Sequence, residues 1–412
     1  MTNLEILIQE LCPDGVEFRT MEEVFEIRNG YTPSKNNPDF WEGGTIPWFR
    51  MEDIRQNGRI LSDAIQHITP AAIKGKGLFP ANSIIIATTA TIGEHALVIA
   101  DSLANQQFTN LVVRKSLSAC LLPKFVFYYM FVIDEWCKKN VNAGNFASVD
   151  MKRFKKLEFP LPPIEVQTEI VRILDKFTSL EAELEAELDC RKRQYEYYRD
   201  KLLSFENVGG QEVEWKKMSE VGTFIRGNGL QKKDFTESGV GCIHYGQIYT
   251  KFNTFTDKTL TYCSENVARK LTPVHPGDLI IACTSENVED VCKTVAWLGK
   301  EDIVTGGHAC VFSHHENPKY IAYLLQTENF FQQKKKYARG VKVIDIKVAD
   351  LQKITLPIPS LEEQHRIVSI LDRFESLTTS LQSGLPAEIA ARRQQYEHYR
   401  DKLLTFKRKG AV

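Results

Sequence analysis

The sequence of 412 residues contains no GxxxxGK(S/T) loop and no HExxH pair, so a P-loop ATPase and a zinc peptidase have no residues to work with. Nine cysteines are scattered without a CxxC pair, which argues for reduced thiols and against a zinc site or disulfide framework. No apolar run approaches the roughly 20 residues of a membrane span. The opening MTNLEILIQELCPDG is acidic and amphipathic where a secretory signal would be basic and then apolar. A cytoplasmic protein with no membrane partner is the expectation. The net charge of −1 does not by itself announce nucleic acid. Gly227-Asn228-Gly229 is a fragment of a dinucleotide fingerprint and reads as a turn. Asn37-Pro38-Asp39-Phe40 has the outline of an adenine-methyltransferase motif, but with Asp39 for the second proline and no glycine motif for S-adenosylmethionine. His314-His315 reads as surface or hydrogen-bonded core, so no active site, cofactor site or metal site is expected in this chain.

What the sequence does contain is itself, twice. QTEIVRILDKF at Gln167 returns as QHRIVSILDRF at Gln364, an offset of 197 residues, and YEYYRDKLLSF at Tyr195 returns as YEHYRDKLLTF at Tyr396, an offset of 201. The repeat reaches beyond these segments, from Val16-Glu17-Phe18 to Val213-Glu214-Trp215 and from Leu157-Glu158-Phe159-Pro160 to Ile354-Thr355-Leu356-Pro357. One globular region plus one helical region is therefore written two times.

Both helical regions carry an apolar stripe at three- and four-residue spacing. Ile164 to Phe205 is 42 residues, or roughly 60 Å of helix at about 1.5 Å per residue. A helix of that length needs a partner, and the matching stripe of the other copy supplies it as a coiled coil. The core positions are Leu174, Phe177, Leu184, Leu188, Tyr195, Tyr198 and Leu202 in the first copy, and Leu371, Phe374, Tyr396, Tyr399 and Leu403 in the second. Their helical spacing favours packing and partner docking over base stacking by the tyrosines. Leu180, Leu184 and Leu188 step by fours within LEAELEAEL, a departure from heptads. Gly384-Leu385-Pro386 breaks the second copy, with Gly384 ending one segment and Pro386 opening the next.

The globular regions read as short strands separated by turns, with helical spacing over Lys124 to Lys139 and Pro318 to Lys336. Ser83 to Thr89 and Leu279 to Thr284 are apolar runs bounded by turn residues, hence buried strands. Basic runs recur at Lys152-Arg153, Lys155-Lys156, Arg191-Lys192-Arg193, Lys232-Lys233 and Lys334-Lys335-Lys336, each of which alone is an ordinary solvated face.

The repeated PxPxxExQ…IVxxLDxF, the LEAE repeats and the YEYYRDKLL ending resemble the type I restriction-modification specificity subunits, in particular the subgroup with four-residue repeats in the central helix. The resemblance implies an α+β fold: two homologous target recognition domains joined by two long helices in an antiparallel coiled coil, with pseudo-two-fold symmetry. Its divisions here would be 1–156 (first recognition domain), 157–206 (central spacer helix), 207–353 (second recognition domain) and 354–412 (C-terminal spacer helix). It further implies a non-catalytic subunit that reads a bipartite, asymmetric site on double-stranded DNA. Two modification (methyltransferase) subunits would dock on the spacer, bringing S-adenosylmethionine, and restriction subunits would bring ATP, Mg and translocation. Two other readings stay open at this stage: a solitary or inactive specificity cassette, and a coiled-coil adaptor whose globular ends bind proteins.

Within that resemblance, residues for DNA contact are chosen for their chemistry, since Asn and Gln pair adenine, Arg pairs guanine and Lys meets phosphate. In the first domain they are Lys35, Arg50, Lys74, Lys76, Thr88, Thr89, Thr91 and Asn105 with Gln106 and Gln107. In the second they are Lys232, Tyr245, Gln247, Thr284, Ser285, His308, Arg339 and Lys342.

Overall fold

The computed structural model describes residues 3–75, 77–142, 147–205, 213–379 and 384–410. The chain forms two compact units, Met1–Glu183 with Ile389–Val412, and Leu184–Glu388. Lys76, among the expected DNA contacts, lies outside the described residues.

In the first unit a five-stranded sheet runs in the order Phe25–Asn29, Phe108–Val113, Ser83–Ala87, His95–Val98, Ile60–Leu61. All neighbours are antiparallel except the last pair. The expected buried strand is its centre, and every residue from Ser83 to Ala87 is buried. Because successive side chains point to opposite faces, Ile84 and Ile86 enter one core and Ile85 and Ala87 another. The first core is closed by the helix Pro123–Lys139. The second is closed by a small sheet in which Ile46–Phe49 lies between His67–Ile68 and Leu103–Ala104.

The second unit repeats this order with Gly222–Arg226, Ala309–His314, Leu279–Ala282, Thr294–Trp297 and Phe255–Thr256. Leu279 and Ile281 again face one core, Ile280 and Ala282 the other. Its covering sheet is larger, five strands ordered Phe235–Thr236, Thr261–Cys263, Val240–Ile243, Ile303–Thr305, Thr272–Val274. The single helix read over Pro318 to Lys336 is split into Pro318–Leu324 and Glu328–Lys335. Thr327 makes the split, its hydroxyl capping the second piece by accepting from the Phe330 N–H at 3.3 Å. Lys334 consequently turns inward. Its ammonium donates to the carbonyls of Glu289 (2.8 Å) and Val291 (2.6 Å), and burial lowers its pKa, so it contributes nothing to a surface basic run.

Each globular region meets its helix through the repeated proline-rich segment. Glu17–Thr20 pairs antiparallel with Glu158–Leu161, and Glu214–Lys217 with Thr355–Ile358. Only two strands pair there, so Pro160 and Pro357 interrupt no interior ladder. Just beyond, Gln167 and Gln364 are fully buried. The Gln167 amide accepts from the Leu122 N–H (2.9 Å) and donates to the carbonyls of Cys120 and Pro162 (both 2.7 Å). Gln364 accepts from the Asn317 N–H (2.9 Å) and donates to the Pro359 carbonyl (2.9 Å) and the Glu316 carboxylate (2.6 Å). Two turns later, Asp175 takes the Lys124 ammonium (2.6 Å) and the Tyr128 hydroxyl (2.7 Å). Asp372 takes Lys319 and Tyr323, both at 2.7 Å. The glutamine of the repeated PxPxxExQ segment and the aspartate of LDxF thus make the bonds that fix each domain to its helix.

The long helix is Ile164–Ser204, 41 residues, ending where Phe205 adopts φ of 53°. Its residues through Glu183 belong to the first unit, where they lie against the helix Leu385–Leu403. Phe177 meets Tyr399 (5.6 Å between ring centres) and Tyr396 (6.3 Å), and Glu181 meets Arg393 at 2.5 Å. One number rises as the other falls, so the helices run antiparallel. From Leu184 onward it belongs to the second unit, beside Leu361–Thr379, with Tyr198 stacked on Phe374 at 5.8 Å. Leu174, Leu371 and Tyr195 are buried, while Leu184, Leu188, Leu202 and Leu403 are half-buried. At the helix ends Leu203 enters the core of the second unit and Leu404 that of the first. Gly384 takes φ of 87°, and Pro386 sits in the first turn of Leu385–Leu403, as the break in the stripe requires.

Candidate DNA interface

Three loops of the first unit converge at one end of its sheet. The Gly30 N–H donates to the Phe108 carbonyl (2.8 Å) and the Thr88 N–H to the Gln107 carbonyl (2.9 Å). A Cβ on Gly30 would stand 2.2 Å from the Asn105 carbonyl oxygen, so only glycine allows this approach. Across the junction the Thr32 hydroxyl bonds the Gln106 side chain. Asn105 folds onto Gln107, accepting from its N–H at 3.0 Å and donating to its amide oxygen at 3.3 Å. The Thr88 and Thr109 hydroxyls are 2.9 Å apart, and Thr109 reaches Asn29 at 3.1 Å. Tyr31 holds the next loop, accepting from the Lys74 N–H at 2.8 Å.

Arg50 joins this group because the Asn105 N–H donates to the Phe49 carbonyl at 3.0 Å. Its own N–H is capped by Asp53 (2.6 Å), and its guanidinium pairs with Glu52 at 2.9 Å over the Trp48 ring. Lys35 is exposed on the loop that carries Thr32. Arg50, Lys74, Thr88, Gln106 and Gln107 are therefore brought together. Thr89 is half-buried and bridged to Ser148, and Thr91 lines a separate cavity with Ile54, Arg55, Arg59 and Glu94.

The second unit builds the same junction from other side chains. Gly227 donates to the Ala309 carbonyl (2.9 Å), Cys283 to the His308 carbonyl (2.8 Å), and Ile346 to the Cys283 carbonyl (3.0 Å), where Val149 donates to Thr88 (2.9 Å) in the first. His308 thus takes the place of Gln107, and Cys283 that of Thr88. His244 takes the place of Arg50, its N–H capped by Gln247 at 2.9 Å as Arg50 is by Asp53. Tyr245 lies between two imidazoles, 4.5 Å from His244 and 4.9 Å from His308. Burial, then the nearby Lys232 and His308, holds His244 below the ordinary histidine pKa, so at neutral pH it is a neutral ring.

Tyr245, Thr284, Ser285 and His308 line one cleft of about 500 Å³ together with Tyr249 and Asn287. Gln247 does not face it. Its amide oxygen is used by the helix cap and by the Thr261 hydroxyl at 3.3 Å. Arg339 pairs through its backbone with Asp345 and stands 3.9 Å from Asp350, while Lys342 is exposed in the intervening turn.

Residue type and spacing did not single out Tyr31, Asn29, His244 or Tyr249. The signal for His244 was the capping pattern, a carboxylate or amide three residues after Arg50 and again after His244.

Sequence and fold comparisons converge on one family. The type I restriction modification DNA specificity domain matches residues 13–189 and 211–391. The chain is 39% identical over 403 residues to the type I restriction enzyme EcoprrI specificity subunit of Escherichia coli, covering 92% of each protein. It is 35% identical over 308 residues to the EcoR124I/EcoR124II specificity subunit of the same species, covering 71% of this chain and 72% of that one. A solved chain from work on complex assembly and conformational transition of the type I R-M system superposes with a TM-score of 0.63. That match has 17% identity and covers 95% and 97% of the two chains, so it speaks for the fold. With two DNA specificity domains, each on its own helix, this protein belongs to the type I restriction-modification specificity subunits, the non-catalytic members of those systems.

Proposed function

We propose that this chain reads a bipartite, asymmetric site on double-stranded DNA, one half through each globular region, and scaffolds two modification subunits together with the restriction subunits. The observation that carries this reading is the junction built twice on one backbone with different side chains. Arg50, Lys74, Gln106 and Gln107 offer hydrogen bonds to base edges and phosphates in one copy. His244, Tyr245, Thr284, Ser285 and His308 offer a different set in the other. Two unlike surfaces on like frames are what an asymmetric site needs. The recognition domains on this reading are 1–156 and 207–353, and the spacer helices 157–206 and 354–412.

The helices set the gap between half-sites, as in the subgroup with four-residue repeats. Four helical residues span roughly 6 Å, comparable to one or two base pairs at about 3.4 Å each. Deleting Leu180 to Glu183 is expected to shorten the non-specific gap, and an unchanged gap would count against the spacer role. The internal repeat offers two copies of one partner equivalent seats. Work in the cytoplasm, with S-adenosylmethionine and ATP entering through partners, completes the reading.

The test is co-expression with the neighbouring modification subunit and mapping of methylated adenines across the host genome. A bipartite motif with one methylated adenine in each half supports the reading. A co-purifying complex that adds no methylation overturns it in favour of an inactive cassette or adaptor.

A further inference from the structure

The second unit carries an apolar point that its core does not use. Val341 is 96% exposed, the most exposed large hydrophobic side chain among the described residues, and Val343 beside it is 59% exposed. Both lie in the turn between Arg339 and Asp345. That turn is firmly based: Arg339 and Asp345 exchange backbone hydrogen bonds of 3.1 and 2.8 Å, and Ile344-Asp345 pairs with Thr284-Ser285. Ile344 and Ile346 are buried beneath it. Gly340, at φ of 120°, allows the reversal, since a Cβ there would lie 1.9 Å from the Val343 carbonyl oxygen. A single exposed valine is ordinary surface, but here two valines stand on a pinned turn beside a cleft and among cations.

The surroundings say which partner. Lys335, Lys336, Arg339, Lys342 and Lys347 fall within thirteen residues that contain one carboxylate, Asp345. The turn borders the cleft of Tyr245, Thr284, Ser285 and His308, where Val343 is among the lining residues. An apolar tip between cations suits a base stack flanked by phosphates. DNA-bending proteins use the same combination, an apolar wedge that separates adjacent base pairs and basic groups that hold the backbone on either side. We infer that the turn 339–345 is a wedge: Val341 enters the base stack of the half-site read by the second unit, while Lys342 and Arg339 hold its phosphates. This rests on the proposed reading of DNA and adds to it a local distortion, so that some specificity in that half comes from how readily a base step opens.

The experiment uses the full chain in complex with its modification subunit and duplexes carrying the mapped methylation motif. 2-Aminopurine is placed in turn at adenines in and beside each half, except the adenine that is methylated. The expected result is a fluorescence rise on binding at one step, in one half only. Val341→Gly is expected to abolish that rise while weakening binding less than tenfold. Lys342→Ala is expected to keep the rise and lower the salt dependence of log affinity by about one. No rise with the unmodified chain, or a rise that survives Val341→Gly, overturns the wedge. Loss of co-purification with the modification subunit in Val341→Asp also overturns it, since the tip would then be a protein contact. Failure of the underlying reading looks different, because the unmodified complex would then produce no bipartite methylation at all.

Discussion

The domain-to-helix anchors and the loop junctions of the two units behave in opposite ways. At the anchors the side chains are the same in both copies, Gln167 and Gln364, Asp175 and Asp372, Tyr128 and Tyr323, Lys124 and Lys319: each glutamine accepts from the N–H two residues before the lysine, and each aspartate takes the lysine and the tyrosine. At the junctions the backbone bonds are the same, but Arg50, Thr88 and Gln107 give way to His244, Cys283 and His308. A buried amide or carboxylate has few replacements that keep all its partners satisfied. A junction held by backbone bonds leaves its side chains free to differ, and so to meet a different sequence.

Removing an anchor should therefore have the largest effect. Gln364→Ala leaves the Asn317 N–H, the Pro359 carbonyl and the Glu316 carboxylate without that partner, at a cost of about 2–6 kcal/mol for the two backbone groups alone. Chemical unfolding of the variant checks this, and a loss below about 1 kcal/mol, the worth of a single ordinary hydrogen bond, would show that the anchor is not a structural necessity.

Acid should separate the two copies next. His314 in the second unit has its pKa pushed down to about 4, chiefly by burial, whereas Val113 stands near the corresponding strand end of the first. The unfolded chain, near 6.5, takes up a proton that the folded unit refuses. Stability from this group is full above about 6.5, falls as the pH is lowered toward about 4, and then levels off after a loss of up to roughly 3 kcal/mol. Thermal unfolding across that range should show the slope, and His314→Val should flatten it.

Changes at the junctions should leave folding alone. Gln107→Ala is expected to weaken binding of the motif by about 1–3 kcal/mol, with the melting temperature unchanged, as read by titration of the complex with labelled duplex. At the bottom of the range, Arg193→Ala removes an exposed pair with Asp189 and should change stability by no more than about 0.5 kcal/mol.

The sequence showed the helices, the repeat and the buried central strands plainly, because each is a local pattern. Gln364 and Asp372 stood in the motif that carried the resemblance, yet their bonding was not legible, since their partners lie 47 to 53 residues away. The junction was only partly legible. Gln106, Gln107 and His308 are in it, but Gln247 is spent on a helix cap and Lys334 on buried carbonyls. Residue type had suggested surface roles for both. His244 drew no notice because its importance comes from occupying the place of Arg50, and that equivalence appears only when the capping bonds are compared.

The measurement that bears most directly on the account is a pair of genome-wide methylation maps, for Gln107→Ala and His308→Ala, each co-expressed with the modification subunit and set beside the map of the unchanged chain. Each substitution is expected to relax or weaken one half of the motif, a different half in each case, with the gap between halves preserved. Two maps that change in the same half, or in both halves together, would contradict the assignment of one junction to one half-site.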